Sequence, residues 1–244
     1  MRYVDTKKRE EGILDLLVEN YINESRPISS SYLCKHCNLP YSPATVRNIM
    51  ESLEEQGYLS HVYTSSGRVP TKNGFKHYVR SLRTEDINKE CLPVPIELEA
   101  GDDIENVFNK ALDILSNISG YTSLIGIWGL EERFFFRGTR FILNQPEFED
   151  IEKLKDLFYT LEVKINELQN LLFSCIDDEL SILIGDEIGF EEISECSLLV
   201  SGLKDEKLAL ALALLGPMRM DYQKAVSSLY AIKHSLEDIV KQLT

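Results

Sequence analysis

No apolar run in this 244-residue chain approaches the roughly 18–20 residues of a membrane-spanning helix, so no spanning segment is expected. The charged start, MRYVDTKKREEGIL, leads into no apolar signal core, and a cytoplasmic protein is expected. Cysteine is scarce and odd in number: Cys34, Cys37, Cys91, Cys175 and Cys196 argue against a disulfide framework. Cys34 and Cys37 form one CxxC with no second, and the histidines outside it are His61, His77 and His234. A zinc site would have to borrow two further ligands, so the pair reads as reduced residues on one face of a short helix, a metal or redox role being the alternative. No nucleophile, base and orienting group recur at a catalytic spacing. Neither enzymatic activity nor a cofactor nor a metal is expected.

Positive charge is also in deficit. The chain carries 40 acids against 26 lysines and arginines, a net of −14, which at first argues against a nucleic-acid partner. The distribution reverses that. Residues 1–84 hold 12 basic against 9 acidic side chains, whereas residues 85–244 hold 14 against 31. The first third is mildly basic and the acidity belongs to the remainder.

Within the basic third, SPATVRNIMESLEEQG (residues 42–57) has the complete grammar of a helix. Ser42 is an N-cap, Pro43 takes the first helical position, Val46, Ile49, Met50 and Leu53 make an apolar stripe, and Gly57 supplies a left-handed stop. Ala44, Arg47, Asn48 and Glu51, flanked by Thr45 and Ser52, fall on the opposite face, small and polar enough to meet base edges in a major groove. Glu51 and Glu55 would repel phosphate, so such a helix would engage by its N-terminal half.

Around this stretch the periodicity predicts a helix over about 7–24, a break at Arg26-Pro27, and a short helix capped by Ser29 or Ser30 and ended at Asn38-Leu39-Pro40. Residues 58–63 and Arg68-Val69 read as strands about a turn at Thr64-Ser65-Ser66-Gly67, and Phe75–Leu82 as a fourth helix after Lys72-Asn73-Gly74. This is a helix-turn-helix with a wing. Residues 84–100, with two prolines and no period, read as a linker. Beyond it helices are expected at 104–118, 150–175 (one long helix) and 221–243, and strands at 122–128, 133–143 with a bulge at Gly138, 180–184, 196–203 and 207–215, broken by Gly216-Pro217. The expected fold class is α+β: residues 1–83 a winged helix-turn-helix, 84–100 a linker, and 101–244 an α/β domain with a mainly antiparallel sheet. Trp128 and Phe134–Phe136 read as sheet packing, with a partner surface as the alternative. GLKDEK and IGDEIGFEE read as solvated acidic turns.

The stretches RPISSSYL, LPYSPATVRNIMESLEEQGYL and TSSGRVPTKNGFKHYV resemble the winged helix-turn-helix of the HrcA family of bacterial heat-inducible transcription repressors. FILNQPEF, the EKLK after it, CSLLVSG and LLGPMRMDY continue the resemblance in the family's order. It implies a dimeric repressor of chaperone operons that binds an inverted-repeat operator on double-stranded DNA, is maintained by the chaperonin as modulator, and is released on heat stress. It also implies that the second domain is GAF-like. Carried onto matching positions, it makes Ser42, Thr45, Arg47 and Asn48 the contacts of the recognition helix, and Thr64, Ser65, Ser66, Gly67 and Arg68 those of the wing. Physically, Arg47 can fork onto guanine or clamp a phosphate, Asn48 can pair with adenine, the Ser42 end of the helix suits a phosphate, and Arg68 suits a phosphate or the minor groove. Two departures stand out. Ser31 replaces a usually basic residue, and SGYTSLI runs almost directly into ERFFFRGTRFILNQPEF, omitting an inserted segment that in the family contributes to dimerisation. A metabolite-sensing winged-helix regulator is the alternative reading.

Overall fold

Hydroxyl groups mark where the N-terminal helices begin. Ser29 accepts the amide of Tyr32 at 3.1 Å, Ser42 that of Thr45 at 3.1 Å, and Thr71 that of Gly74 at 3.2 Å, each occupying an amide that a helix start leaves open. The computed structural model describes residues 2–62, 67–82, 87, 91–96, 103–129, 132–204 and 208–243. Its first helices are α1 (Arg2–Glu24), α2 (Ser30–His36), α3 (Pro43–Glu55) and α4 (Lys72–Ser81), with an antiparallel ribbon of β1 (Leu59–His61) and β2 (Arg68–Pro70). α3 ends in a Schellman motif: the amides of Gly57 (φ +79°) and Tyr58 reach the carbonyls of Glu54 and Leu53, both at 2.9 Å. Ile13, Leu14, Leu17 and Val18 of α1 share a core with Leu33, Val46, Met50, Leu53, Leu59 and Phe75. Residues 1–82 form one compact unit and residues 83–244 another.

α4 begins three residues sooner than the periodicity predicts. Thr71 both caps it and donates to the carbonyl of Gly57 at 2.6 Å, drawing the helix start against the end of α3. Gly74 thus falls inside the helix, and a glycine is needed there because a Cβ would lie 2.4 Å from the carbonyl oxygen of Tyr58.

In the second unit α5 (Ile104–Ser119) precedes β3 (Thr122–Trp128) and β4 (Arg133–Arg137). Next come α6 (Thr139–Leu143), α7 (Ile151–Glu162) and α8 (Ile165–Ser174), then β5 (Ser181–Ile184), β6 (Cys196–Lys204), β7 (Ala209–Pro217) and α9 (Tyr222–Leu243). The strands form one sheet in the order β4-β3-β7-β6-β5, with every neighbouring pair antiparallel. The class is α+β. Alternation in β7 sorts the faces: Ala211, Ala213 and Leu215 turn one way, Leu210, Leu212 and Leu214 the other. The alanine side leaves room for Leu157 and Leu161 of α7 and Leu168 and Leu172 of α8, which pack on Leu124, Leu198 and Val200. α5 and α9 cover the opposite face, where Ser123 donates to the carbonyl of Leu112 at 2.8 Å and Ser197 meets the Tyr222 hydroxyl at 2.7 Å.

Four expectations are corrected. The long helix is two, because Lys164 leaves the helical path at φ −92°, ψ 27° and binds Glu192, which lets both leucine pairs face one core. The strand from Arg133 stops at Arg137. Gly138 is no bulge but the left-handed start of α6 (φ +77°), where a Cβ would meet the Ser116 side chain at 2.3 Å. Pro217 does not break β7. It is the strand's last residue, opposite Cys196, a terminal position that tolerates a missing amide. Of the expected linker, residues 91–96 lie along α9, where the Cys91 thiol donates to the carbonyl of Ser227 at 3.5 Å and Ser235 donates to that of Val94 at 2.5 Å.

Gly202 on β6 leaves no room for a methyl, since a Cβ would sit 1.9 Å from the carbonyl oxygen of Ile176, whereas Gly12 in α1 faces open space. Gly202→Ala is expected to cost about 1–3 kcal/mol in urea unfolding of the full chain, as overpacking does. Gly12→Ala is expected to add up to about 1 kcal/mol, through helix propensity.

Candidate nucleic-acid interface

The face of α3 that packs on α1 and α2 determines which residues look outward. Val46, Met50 and Leu53 are buried, and Ser42, Ala44, Arg47, Asn48, Glu51 and Glu55 are exposed, while Thr45 and Ile49 are half-buried. Besides capping Thr45, the Ser42 hydroxyl lies 2.9 Å from that of Thr45, so the two form a hydroxyl pair at the positive end of a 13-residue helix. Arg47 leans on Glu51 at 3.6 Å, with 68% of its side chain exposed. An exposed pair of this kind is worth about 0–1 kcal/mol, little enough for a phosphate or a base to take the guanidinium over. Asn48 stands beside it on the same turn.

The ribbon is tied to α3 by a residue that sequence reasoning missed. Glu54 receives His61 of β1 on one carboxylate oxygen and Arg68 of β2 on the other, the latter at 2.7 Å. The Arg68 contact is an ion pair and not an aligned hydrogen bond, because its N–H has no acceptor in line. Burial is the largest single influence on the Glu54 carboxyl and pushes its pKa up. The His61 hydrogen bond and the charges of Arg68 and His61 outweigh it and hold the group below its ordinary 4.5. Arg68 is accordingly 16% exposed along its side chain, and it stands opposite His61 on the last pair before the turn. The only cue in the sequence was an acid one residue from the helix end followed by a histidine and an arginine in the strands, a pattern too common to single out.

Gly67 has a packing reason of its own. β2 exchanges two backbone hydrogen bonds with Ile28, of 2.8 and 2.9 Å between the Arg68 and Ile28 amides and carbonyls, so the segment between α1 and α2 adds a third member to the ribbon. At that approach a Cβ on Gly67 would stand 2.4 Å from the Ile28 carbonyl. Thr64, Ser65 and Ser66 lie outside the described residues. Ser42, Thr45, Arg47 and Asn48 are brought together on one turn and a half of α3, and Gly67 and Arg68 are placed beside the C-terminal end of that helix through Glu54.

Comparison with known proteins decides the family. The family profile described as "HrcA protein C terminal domain" matches residues 69–226. The chain belongs to the HrcA family. The heat-inducible transcription repressor HrcA of Brevibacillus brevis is 25% identical over 337 aligned positions, covering 97% of this chain and 97% of that protein. Its counterpart in Geobacter sulfurreducens is 27% identical over 325 positions, 91% of this chain and 94% of the other. HrcA relatives are thus named as repressors, not as enzymes. Both alignments are longer than the chain itself, so these relatives carry segments that have no counterpart here. A crystal structure described as that of a hypothetical protein shares the fold with a TM-score of 0.78 at 18% identity, over 97% of this chain and 99% of that one.

The HrcA motifs of the second unit meet at one end of its sheet. Arg219 of GPMRMDY grips Glu147 and, at 2.9 Å, Gln145, both within FILNQPEF. Tyr222 donates to the carbonyl of Met218 at 2.6 Å, and the Tyr121 hydroxyl accepts the amide of Asp221 at 2.7 Å. These contacts join the loop before α9 to that before α7. Trp128 packs on Phe173 with ring centroids 5.0 Å apart, and Phe134 and Phe136 lie half-buried against the same core. Within IGDEIGFEE, Glu187 accepts the amide of Ile184 at 3.0 Å and Glu192 binds Lys164, so these acids also fasten turns.

Because the Glu54 carboxyl has a lowered pKa in the folded protein, its contribution to stability is present above the unfolded value of 4.5. It is lost as pH falls through the folded value. In acid unfolding followed by circular dichroism, Glu54→Gln is therefore expected to start less stable at neutral pH and to lose less stability than the parent below pH 4.5. Equal losses in the two proteins would show that the clamp contributes nothing.

Proposed function

We propose that this chain is a DNA-binding transcription repressor of heat-shock chaperone operons. It reads an inverted-repeat operator through a winged helix-turn-helix formed by residues 1–83, followed by a linker over residues 84–100 and a GAF-like domain over residues 101–244. The observation that carries this reading is the capped helix α3, with Arg47 and Asn48 outward and the ribbon fastened beside it, in a chain whose relatives are named heat-inducible transcription repressors. α3 is the recognition helix and enters the major groove by its N-terminal half. The hydroxyls of Ser42 and Thr45 and the open amides of that end take a backbone phosphate. Asn48 reads adenine, and Arg47 reads guanine or holds a phosphate. The wing, Thr64 to Arg68, follows the adjacent backbone or minor groove.

One winged helix covers a half-site, so an inverted repeat calls for a homodimer. The acidity of residues 85–244, which hold 31 acids against 14 basic side chains, repels DNA and confines attraction to the first unit. Release on heating and upkeep by the chaperonin follow the family reading, as does action in the cytoplasm. A metabolite-sensing role is less well supported: a pocket of about 180 Å³, lined by Glu147, Asp156, Glu191, Glu192, Glu195 and Lys153 among others, falls short of the roughly 300–1,000 Å³ of ligand sites.

The test is a titration of the chaperone-operon promoter of the source genome, with and without chaperonin, alongside sedimentation of the free protein. Specific binding by a dimer is expected, and no binding there overturns the reading. Asn48→Ala and Arg47→Ala are each expected to weaken operator affinity by about 1–3 kcal/mol and to relax the preference at one base pair where they read a base. Unchanged affinity for Asn48→Ala would mean that another face of α3 meets the DNA.

A further inference from the structure

The CxxC is the sequence feature that repression leaves unused. Cys34 lies in the last turn of α2 and Cys37 is its C-cap, whose amide reaches the carbonyl of Leu33 at 2.9 Å. Both are half-buried free thiols, and each serves a different joint. The Cys34 thiol donates to the carbonyl of Tyr41 at 3.5 Å, one residue before the Ser42 cap of α3. The Cys37 sulfur accepts Nδ2 of Asn20 on α1 at 3.6 Å. Between these joints Asn38 takes φ +47°, a left-handed conformation uncommon outside glycine. His36 stacks on Tyr32 with centroids 4.1 Å apart. Among the described residues no three His, Cys, Asp or Glu gather into a set that could hold a metal. Oxidation therefore suits this dithiol better than a soft cation.

We propose that Cys34 and Cys37 are a modification site, closing reversibly to an intramolecular disulfide under hydroperoxide and shifting the turn that sets the start of α3. With hydrogen peroxide, one thiol sulfur attacks a peroxide oxygen, the O–O bond breaks, the thiol's proton passes to the departing hydroxide, and a sulfenic acid and one water result. The second thiol sulfur attacks the sulfenic sulfur, the S–O bond breaks as the S–S bond forms, its proton passes to the departing hydroxide, and a second water leaves. The dithiol gives up two electrons and two protons, and the peroxide becomes two waters. Residues three apart on a helix hold their Cβ atoms about 5–6 Å apart, whereas a disulfide needs about 3.5–4.5 Å, so closure must tighten the last turn of α2. It also removes the proton that the Tyr41 carbonyl accepts and draws Cys37 from Asn20. Cys175 and Cys196 are no competitors, being buried, and burial pushes the Cys196 thiol up to about 12. That the shift lowers DNA affinity rests on the proposed function. The disulfide itself does not.

The experiment treats the full chain with graded hydrogen peroxide, alkylates the remaining thiols, maps peptides by mass spectrometry, and measures binding to the chaperone promoter in parallel. Expected are a 34–37 cross-link lighter by two hydrogens, its reversal by dithiothreitol, and an affinity lower by about tenfold or more, on the scale of one good base contact. Cys34→Ser, which keeps a donor for Tyr41, is expected to bind DNA like the reduced parent and to be insensitive to peroxide. Absence of the cross-link, or oxidation at Cys91 in its place, overturns the site. A cross-linked protein with unchanged affinity overturns the switch. A reduced protein that binds no promoter, yet forms the cross-link, overturns the proposed function and supports the site.

Discussion

The apolar stripe of α3 is the constraint on which the proposed interface depends. Val46, Met50 and Leu53 are between 0% and 3% exposed, and each such side chain is worth roughly 1.5–3 kcal/mol out of water. Turning the helix by one residue, ~100°, would bring that surface into solvent and bury Arg47 or Asn48 instead. Neither polar residue needs a partner to hold it outward. The hydrophobic term on the far side of the helix does so, and the Ser42 cap with Pro43 at the first position fixes where along its axis the exposed face begins.

Charge is handled locally in the same unit. An acid on a helix proposed to face DNA is a liability, yet α3 carries Glu51, Glu54 and Glu55. Glu51 sits against Arg47, and Glu54 is enclosed by His61 and Arg68 from the two strands of the ribbon. Glu54 thereby turns a repulsive charge into the contact that sets the ribbon against the helix. The same contact occupies Arg68, so the cation best suited by sequence to reach phosphate is partly committed to orienting the ribbon.

Much of this was legible in the sequence because the signals were local. Ser42, Pro43 and Gly57 delimit α3 within sixteen residues, and the alternation of β7 is visible in ALALALL. What escaped was set by contacts between distant segments. The split between α7 and α8 depends on Lys164 reaching Glu192, the extra turn of α4 on Thr71 reaching Gly57, and the demand for glycine at position 67 on Ile28, 39 positions earlier in the chain. A proline at 217 reads as a breaker only if one does not know that it falls on the sheet's last pair. Glu54 was hidden for the same reason: its role exists only once the ribbon folds back over the helix.

The shortness of the chain bears on the proposed dimer. β3 and β4 pair from Ser123↔Arg137 to Ile127↔Arg133, and β3 pairs with β7 along its full length on the other side. The five-stranded sheet is therefore fully paired at β3 without any segment inserted between β3 and β4. An interface that depended on such an insertion would have to be replaced here by surface this unit already has. Ile151, Tyr159 and Val163 at α7, with Phe173 on α8, are between 47% and 62% exposed, more apolar surface than helices packed on a sheet by one face need to show. α9 is the opposite case, its Ala225, Val226, Leu229, Tyr230, Ile232 and Leu236 being already inside. Among the described residues, the helical layer formed by α7 and α8 therefore leaves more apolar surface outside the core than α9 does.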